Sequence, residues 1–594
     1  MCGCIGSKWP LDGNTCEVDK VRTRTIISFG FPGIVHPLLL LRYHDAACVD
    51  MFRYGGDLLG TLCRSGNGVP VEKHMAGSKS ELDQNMAARN RALIKGLRED
   101  TNSDVSLKKA QNDTKLGRML EPREIREEDV LYSVLSPRMC VEQGIGPDGA
   151  PKFRAVDDFT RSHMNECTEP TERLSCDTLD AVVRTMRELS LKLDCPISMF
   201  KADIDSAFRR VPIAAEQRRH GRIVFKHKGV VLVAGHVCMP FGSVASVHNW
   251  DRIGSFLCAL GRKLLKIPLS RYVDDFMAGD RKASVDAGMN CFARLVRACL
   301  GSSAVAADKL EAGAELVLLG VSVKLSRDGA LLKPSADKVA KWSRQLKSFL
   351  SLGRLCGGEA AKLAGALQWA AQHTFKRLGR AMIRPIINQE HARSSDINDQ
   401  LQLALMWWLE VLNLDIAQFR PWVARSEKPV HMFCDARSTP PRVAAVLYKD
   451  RKFAYCDVEP PAEILNSFMK RGDNQITSLE ILSIALGIST FAKEIAGRNL
   501  IIWSDNTGAE SATRKGSTKQ FDQNCLIHTM WKQLAVLNVN VWVERVPTRD
   551  NIADLPSRLV CFRVCVPFVP HQYSWKGRVS TLAADACQMG YTVL

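Results

Sequence analysis

The pattern of apolar and polar positions changes character several times along the chain. Residues 1–70 are irregular and rich in Gly and Cys, and they predict no element. From 71 to 130 the text turns polar and charged, as in SKSELDQNMAARNRALIKGLRED, which reads as an exposed helical leader or linker rather than core. Apolar strands then begin. GPDGAPKFRAVDDF is a turn followed by a strand, LDAVVRTMRELSLKLD has helical spacing, MFKADI is a short strand and RIVFKHKGVVLVAG a hairpin. SVASVHNWDRIGSFLCALGRKLL puts Trp250, Ile253, Leu257, Leu260 and Leu264 on one helical face. Strands mixed with helices predict an α+β domain over 131–325. The stretch 326–425 is almost wholly helical, as in AAKLAGALQWAAQ and LALMWWLEVL. A second mixed domain, of α/β type, follows over 426–560. Its predicted order is strand (HMFCDA), strand (VAAVLY), strand (KFAYCDV), helix (SLEILSIALGISTFAKEI), strand (LIIWSD), helix (FDQNCLIHTMWKQLAVL), strand (VNVWVERV) and a short helix near Ala553, before a tail at 561–594. The fold class is therefore α+β and multidomain.

Composition narrows the partners. A chain of 594 residues with a formal net charge of +17 suits a polyanion, because spread lysines and arginines attract phosphate backbones and release counterions. The 20 cysteines are scattered, and no stretch near the start reads as a secretory signal, so a reducing, intracellular setting is expected. The run IVHPLLLL is broken by His36 and Pro37 and is too short to cross a bilayer, so no membrane partner is expected. MCGCIG admits acylation of Cys2 or Cys4, against the plainer reading of a chain terminus.

The tetrapeptide VDDF occurs twice, in KFRAVDDFTRSHMN and in LSRYVDDFMAGD. Around Asp274 and Asp275 the segments SRYV and FMAG pair as arms of a tight hairpin, with both carboxylates at its tip. Two carboxylates about 4 Å apart repel by roughly 1 kcal/mol in water, and by about 4 kcal/mol at an effective dielectric of about 20. A divalent cation relieves that; an exposed Asp-Asp turn is the bland alternative. FKADIDSAFRRVPI supplies a third acid, Asp203, at the end of another short strand, and hard oxygen ligands of this kind hold paired Mg²⁺ for phosphoryl transfer. Asp205 lies on the same strand face as Asp203 and competes for the role. The earlier pair has Lys152 and Arg154 before it and reads as a basic, phosphate-touching strand, with Asp158 pairing a neighbouring cation.

In this order, the central motifs resemble those of reverse transcriptases of retrotransposons and retroviruses over about Leu131 to Lys324: the basic strand KFRAVDDF, FKADIDSAF, MPFGSVASVHNW, YVDD and DKLEAGAELVLLGVSV. The resemblance implies a right-hand polymerase of fingers, palm and helical thumb or connection. It implies metal ligation by Asp203 and Asp274 with Asp275 beside them, and triphosphate binding by Arg154 and Lys152. It also makes Phe208 the aromatic that disfavours a 2′-hydroxyl, core packing being the alternative, Gly242 the point where backbone approaches the template pair, and Lys309 the group that neutralises or protonates pyrophosphate. Ser243, Val244, Ala245 and Ser246 depart from the Asn-Ala-Pro continuation usual in that family.

Residues 426–560 resemble ribonuclease H. FCDARS, ITSLEIL, WSDNTGAE and NIADLPSR offer Asp435, Glu480, Asp505 and Asp554 as ligands for two Mg²⁺. TSLE is also a capping box, which would give Glu480 a purely structural role. ERVPTRDNIAD lacks the histidine many ribonucleases H carry there. The expected cofactor is Mg²⁺, two per site, with Mn²⁺ as a substitute. The expected partners are RNA template, DNA primer, RNA-DNA hybrid and dNTPs. The alternative reading is a catalytically inactive nucleic-acid-binding remnant of a retroelement. The helices between resemble thumb and connection, and KVAKWSRQLK and TFKRLGR give them a basic face that tracks a duplex or is simply solvated. Cys561, Cys565 and His571 lack a fourth ligand at zinc-finger spacing. No protease or integrase arrangement accompanies the motifs, so the chain looks like the polymerase and nuclease part of a mobile element, similar in wording to those of tyrosine-recombinase retrotransposons.

Overall fold

The computed structural model describes residues 43–45, 47–71, 78–145, 151–374, 377–414, 416–423, 427–469 and 475–558. Cys2, Cys4, the IVHPLLLL run, Cys561, Cys565 and His571 lie outside them. The chain divides into two compact units, Met1–Leu316 and Val317–Leu594. No helix among the described residues is long and apolar enough to cross a membrane.

The first unit holds two main sheets. One has five strands in the order Arg123–Glu124, Val230–Gly235, Arg222–His227, Leu135–Ile145 and Pro151–Asp157. Its tightest connection, Lys228–Gly229, carries positive φ at both residues (51° and 78°), the geometry that matches the twist of a two-residue hairpin. The other has four strands in the order Ser270–Tyr272, Asp275–Arg281, Ile197–Asp203 and Leu310–Gly313. On it pack the helices Leu179–Leu193 and Val285–Leu300. Phe200, Phe276 and Phe292 interlock at the centre, with ring centroids 5.1 Å apart for Phe276 and Phe292. The helix Val244–Leu264 adds Trp250, Ile253, Leu257 and Leu260 to the same core, but Leu264, expected on that face, is exposed at the helix end.

Two stretches without a strong apolar signal also belong to this core. Residues 79–115, expected as exposed helix or linker, form the helices Lys79–Gln84, Met86–Lys95 and Ser103–Lys115. Leu82 and Met86 are buried, and the buried Asn90 amide donates to the carbonyls of Val130 and Ser133 while accepting from Leu135 N–H. A polar residue thus anchors the segment, and hydropathy spacing does not register such anchors. Earlier still, Cys48, Met51, Leu58, Leu59 and Leu62 join the core, and Asp45 forms a buried ion pair with Arg252 (Nε to Oδ2, 2.9 Å).

The second unit contains a four-stranded sheet (Glu315–Leu318, Val321–Leu325, Gly329–Pro334, Gln418–Pro421) and the helices Ala336–Leu352, Gly357–His373, Arg380–Glu390 and Asp399–Asn413. Its five-stranded sheet runs Lys452–Val458, Pro441–Lys449, Val430–Ser438, Asn499–Ser504, Asn540–Arg545. The first three pair antiparallel as hairpin neighbours, and the last two join in parallel, each through a helical crossover. The helix Ile476–Thr490 packs on this sheet and against the helix Phe521–Val536, and the helical layer shares their core through Trp407 and His528, 5.6 Å apart edge-on.

Candidate active sites

The fold gathers acids at one place in each unit. In the first, Asp203 ends the strand Ile197–Asp203 and stands directly opposite Asp275 in antiparallel register. Tyr272 pairs with Asp275, leaving Val273 and Asp274 as the two-residue turn of the hairpin. Ile204 N–H donates to the Asp274 carbonyl at 3.3 Å, which ties the strand end to the hairpin tip. Ala202 and Phe276, beside these acids in sequence, point into the core and are buried, so strand alternation holds the carboxylates at its rim. Partial burial, reinforced by Asp274 and Asp203, pushes the Asp275 carboxyl up to about 6, and burial also raises Asp274.

Lys309 closes a short turn, Ala307–Lys309, and its ammonium donates to Asp203 Oδ2 at 2.9 Å. That hydrogen bond raises the lysine pKa. Asp205, the competitor for the ligand role, is held by cations instead: Arg210 at 3.2 Å and Arg118 at 3.4 Å.

In the same unit a cation and two mutually tilted rings form a cluster. The exposed Arg154 guanidinium lies over the Phe241 ring at 5.2 Å, and the Phe241 and Phe208 centroids are 5.1 Å apart. Phe208 packs on the core only with part of its surface, and Lys152 is exposed two residues before Arg154 on the same strand face. Gly242 has φ of 96°, and a Cβ there would stand 3.0 Å from the Asp157 carbonyl, so both conformation and space favour glycine. Asn165 clamps this loop, donating to Gly242 O at 3.1 Å and accepting from Val244 N–H at 3.0 Å. Phe241 lay within the quoted motif MPFGSVASVHNW without a role of its own, and Asn165 did not stand out in the sequence. An aromatic between Pro240 and Gly242 was the available signal for the first; the second had none.

In the second unit Asp435 lies on Val430–Ser438 and Asp505 directly follows Asn499–Ser504. Parallel pairing of Cys434 with Ser504 sets the two acids side by side. Glu480 reaches them from the helix Ile476–Thr490. One oxygen from each of the three falls within 4.8 Å of the others, the only such trio among the described residues. Glu480 Oε1 accepts from Ala436 N–H at 3.2 Å, and its buried Oε2 has no hydrogen bond. Burial, then Asp435 and Asp505, push Glu480 up to about 9; burial pushes Asp435 up to about 6. Asn551 steadies the group by donating to Asp505 Oδ1 at 3.3 Å and to the Cys434 carbonyl at 3.0 Å. Asp554 opens the helix Asp554–Ser557, paired with Arg558 at 2.7 Å, and acts on Asp435 through its charge. A buried carboxylate oxygen without a donor, facing two more acids, suits a hard divalent cation.

No protein-family model matches the chain, and no curated protein matches it. Among solved structures it is similar to the foamy viral protease-reverse transcriptase in complex with RNA/DNA hybrid. That match has 14% identity and a TM-score of 0.42, and covers 95% of this chain and 66% of that one. The same viral protein in complex with dsDNA matches at 15% identity and a TM-score of 0.40, over 91% of this chain and 99% of that one.

Two sequence expectations are corrected by the geometry. Of the pair Asp157 and Asp158, it is Asp157 that binds a cation: Arg138 Nε donates to it at 2.7 Å and Nη2 at 3.0 Å, both side chains buried. Asp158 instead accepts the N–H groups of Thr160 and Arg161 in a local turn. The capping box at TSLE is not formed, because the helix begins at Ile476 after Gln475 and Glu480 already lies beyond its first turn. The helix Ala336–Leu352 exposes Lys341, Arg344 and Lys347, with Trp342, Leu346 and Phe349 buried and Lys338 half-buried.

Proposed function

We propose that the chain is an RNA-directed DNA polymerase of a retroelement with an attached ribonuclease H. The reading is carried by one observation: Asp203 stands opposite Asp275 with Asp274 at the adjoining hairpin tip, three acids brought together from two distant segments. Asp203 and Asp274 would hold Mg²⁺, or Mn²⁺ in its place, with Asp275 adjoining. Bound metal supplies charge neutralisation at the reacting phosphate and lowers the pKa of the primer 3′-hydroxyl. Arg154 and Lys152 attract and orient the triphosphate of a dNTP. Phe208 would lie against the sugar and disfavour a 2′-hydroxyl. Lys309, next to Asp203, carries a positive charge to where pyrophosphate would depart.

In the second unit Asp435, Glu480 and Asp505, with Asp554 at the margin, would hold Mg²⁺ and act on the RNA strand of an RNA-DNA hybrid. Glu480 would have to be ionised to serve as a ligand, so metal binding there would be coupled to release of its proton. The net charge of +17 and the exposed basic residues of Ala336–Leu352 suit template and primer backbones. Primer extension on a poly(rA) template tests the first reading: wild type extends and Asp274→Asn does not. Equal, poor extension by both would leave the inactive nucleic-acid-binding remnant in its place. Hybrid cleavage by wild type and by Asp505→Asn tests the second, and equal cleavage would remove that site.

A further inference from the structure

The tip of the acidic hairpin has a conformation its own sequence resists. Val273 has φ of 54°, a left-handed value at which a β-branched side chain crowds its backbone, and it occupies the first of the two turn positions. Such a residue persists only where its surroundings over-determine it. Here two donors converge on its carbonyl oxygen. Trp250 Nε1 donates at 2.9 Å and Arg271 Nη1 at 2.8 Å.

Both donors are themselves built in. Trp250 is fully buried on the helix Val244–Leu264. Arg271 is 4% exposed and forms an ion pair with Asp251, also 4% exposed, one residue after that tryptophan. A turn further along the helix, a Cβ at Gly254 would stand 2.9 Å from the Arg271 side chain, so the glycine leaves the notch the arginine fills. Ser255 Oγ accepts from Arg271 Nη2 at 3.2 Å, and Arg271 N–H donates to Asp177 Oδ2 at 2.9 Å. Trp250, Asp251 and Gly254 thus present one helix surface fitted to the hairpin.

We infer that Trp250, Arg271 and Asp251 are positioning residues for Asp274. By fixing the Val273 carbonyl they fix the peptide plane that leads into Asp274, and so the direction in which its carboxylate meets Asp203. Asp251 acts through Arg271, and Gly254 makes room for it. This rests on reading the hairpin as a polymerase site, but the clamp itself is a statement about the turn.

Trp250→Phe keeps a buried aromatic ring but removes the N–H together with the pyrrole half of the indole, so the cost of the lost volume must be separated from the cost of the lost donor. In primer extension on poly(rA), the half-saturating Mg²⁺ concentration is expected to rise about tenfold and kcat to fall about tenfold to a hundredfold, because small misplacements at a reacting centre cost that much. KM for dNTP and cleavage of RNA-DNA hybrid stay at wild-type values. A thermal double-mutant cycle gives an arm independent of activity, because the volume lost at Trp250 is common to both backgrounds. Trp250→Phe lowers Tm less in the wild-type background, where the turn can relax its strain once the donor is gone, than in the Val273→Gly background, where positive φ carries no strain to release. An unchanged Mg²⁺ dependence, or a loss of Tm in the wild-type background that equals or exceeds the loss in the Val273→Gly background, overturns the inference. If wild type extends no primer, the polymerase reading fails and the Tm cycle alone decides the clamp.

Discussion

In the first unit, Asp203, Asp274 and Asp275 are partly exposed at a strand end and a hairpin tip, and a lysine ammonium sits 2.9 Å from Asp203. In the second, Asp435 and Glu480 are buried and meet Asp505 within 4.8 Å, with one Glu480 oxygen lacking any donor. The first group has the Lys309 ammonium beside Asp203, whereas in the second burial and the neighbouring acids push Glu480 up to about 9. A cation arriving at the first must compete with Lys309; at the second it must release a proton.

The sharpest way to break this comparison is to remove one acid from each group. Loss of several kcal/mol of transition-state stabilisation corresponds to on the order of a thousandfold in rate. Asp274→Asn should lose that in primer extension and keep hybrid cleavage, and Asp505→Asn the reverse; any variant that loses both would merge the two sites.

Next in size is the proton on Glu480. Its carboxyl is raised from 4.5 to about 9, so the folded state binds more protons between those values, and metal-free stability falls as pH rises through that window. Glu480→Gln removes the effect. In EDTA, urea unfolding should show the variant gaining on wild type by on the order of 4 kcal/mol between about pH 5 and 8. A pH-independent difference would mean the carboxyl is already ionised.

Smaller is the support given to Asp505. Asn551→Ala should lower hybrid cleavage by about tenfold to a hundredfold, leave primer extension alone, and be partly offset by higher Mg²⁺. Smallest is a titration of opposite sign in the first unit. The buried His236 donates from Nε2 to Asp157 at 2.9 Å and accepts at Nδ1 from Arg209 at 2.7 Å, because a guanidinium can only donate. Burial, then Arg209, hold it down at about 4. The unfolded chain therefore takes up the proton first: the contribution is whole above about pH 6.5 and is lost as pH falls toward 4. His236→Gln should flatten that loss, by about 2 kcal/mol between about pH 6.5 and 5 in urea unfolding.

What the sequence disclosed follows from how local each feature is. The hairpin at Asp274 was legible because its arms, turn and acids are contiguous, and the strand leading to Asp203 because apolar residues alternate into it. The choice between Asp157 and Asp158 was not, since adjacent strand residues face opposite ways and only pairing with Arg138, on another strand, decides which side is inward. Glu480 was ambiguous for a similar reason: its helix starts at Ile476, and the sequence offered Thr477 as an equally good cap. Residues 79–115 are helical with few buried side chains, as expected, but their attachment to the core was not legible because its anchors are polar. Besides Asn90, the carboxylate of Asp83 meets Arg219 at 2.7 Å and His220 at 3.2 Å, contacts that no hydropathy period reports.

The buried pair of Asp45 and Arg252 also bears on how the protein can be cut. A fragment of the first unit beginning after Asp45 would strand a guanidinium in the interior without its counter-charge, a loss of about 3–5 kcal/mol. Expression boundaries drawn near residue 131 would also delete the helices that carry Leu82, Met86 and Asn90, and should yield insoluble material. A boundary upstream of residue 43 keeps both sets of contacts.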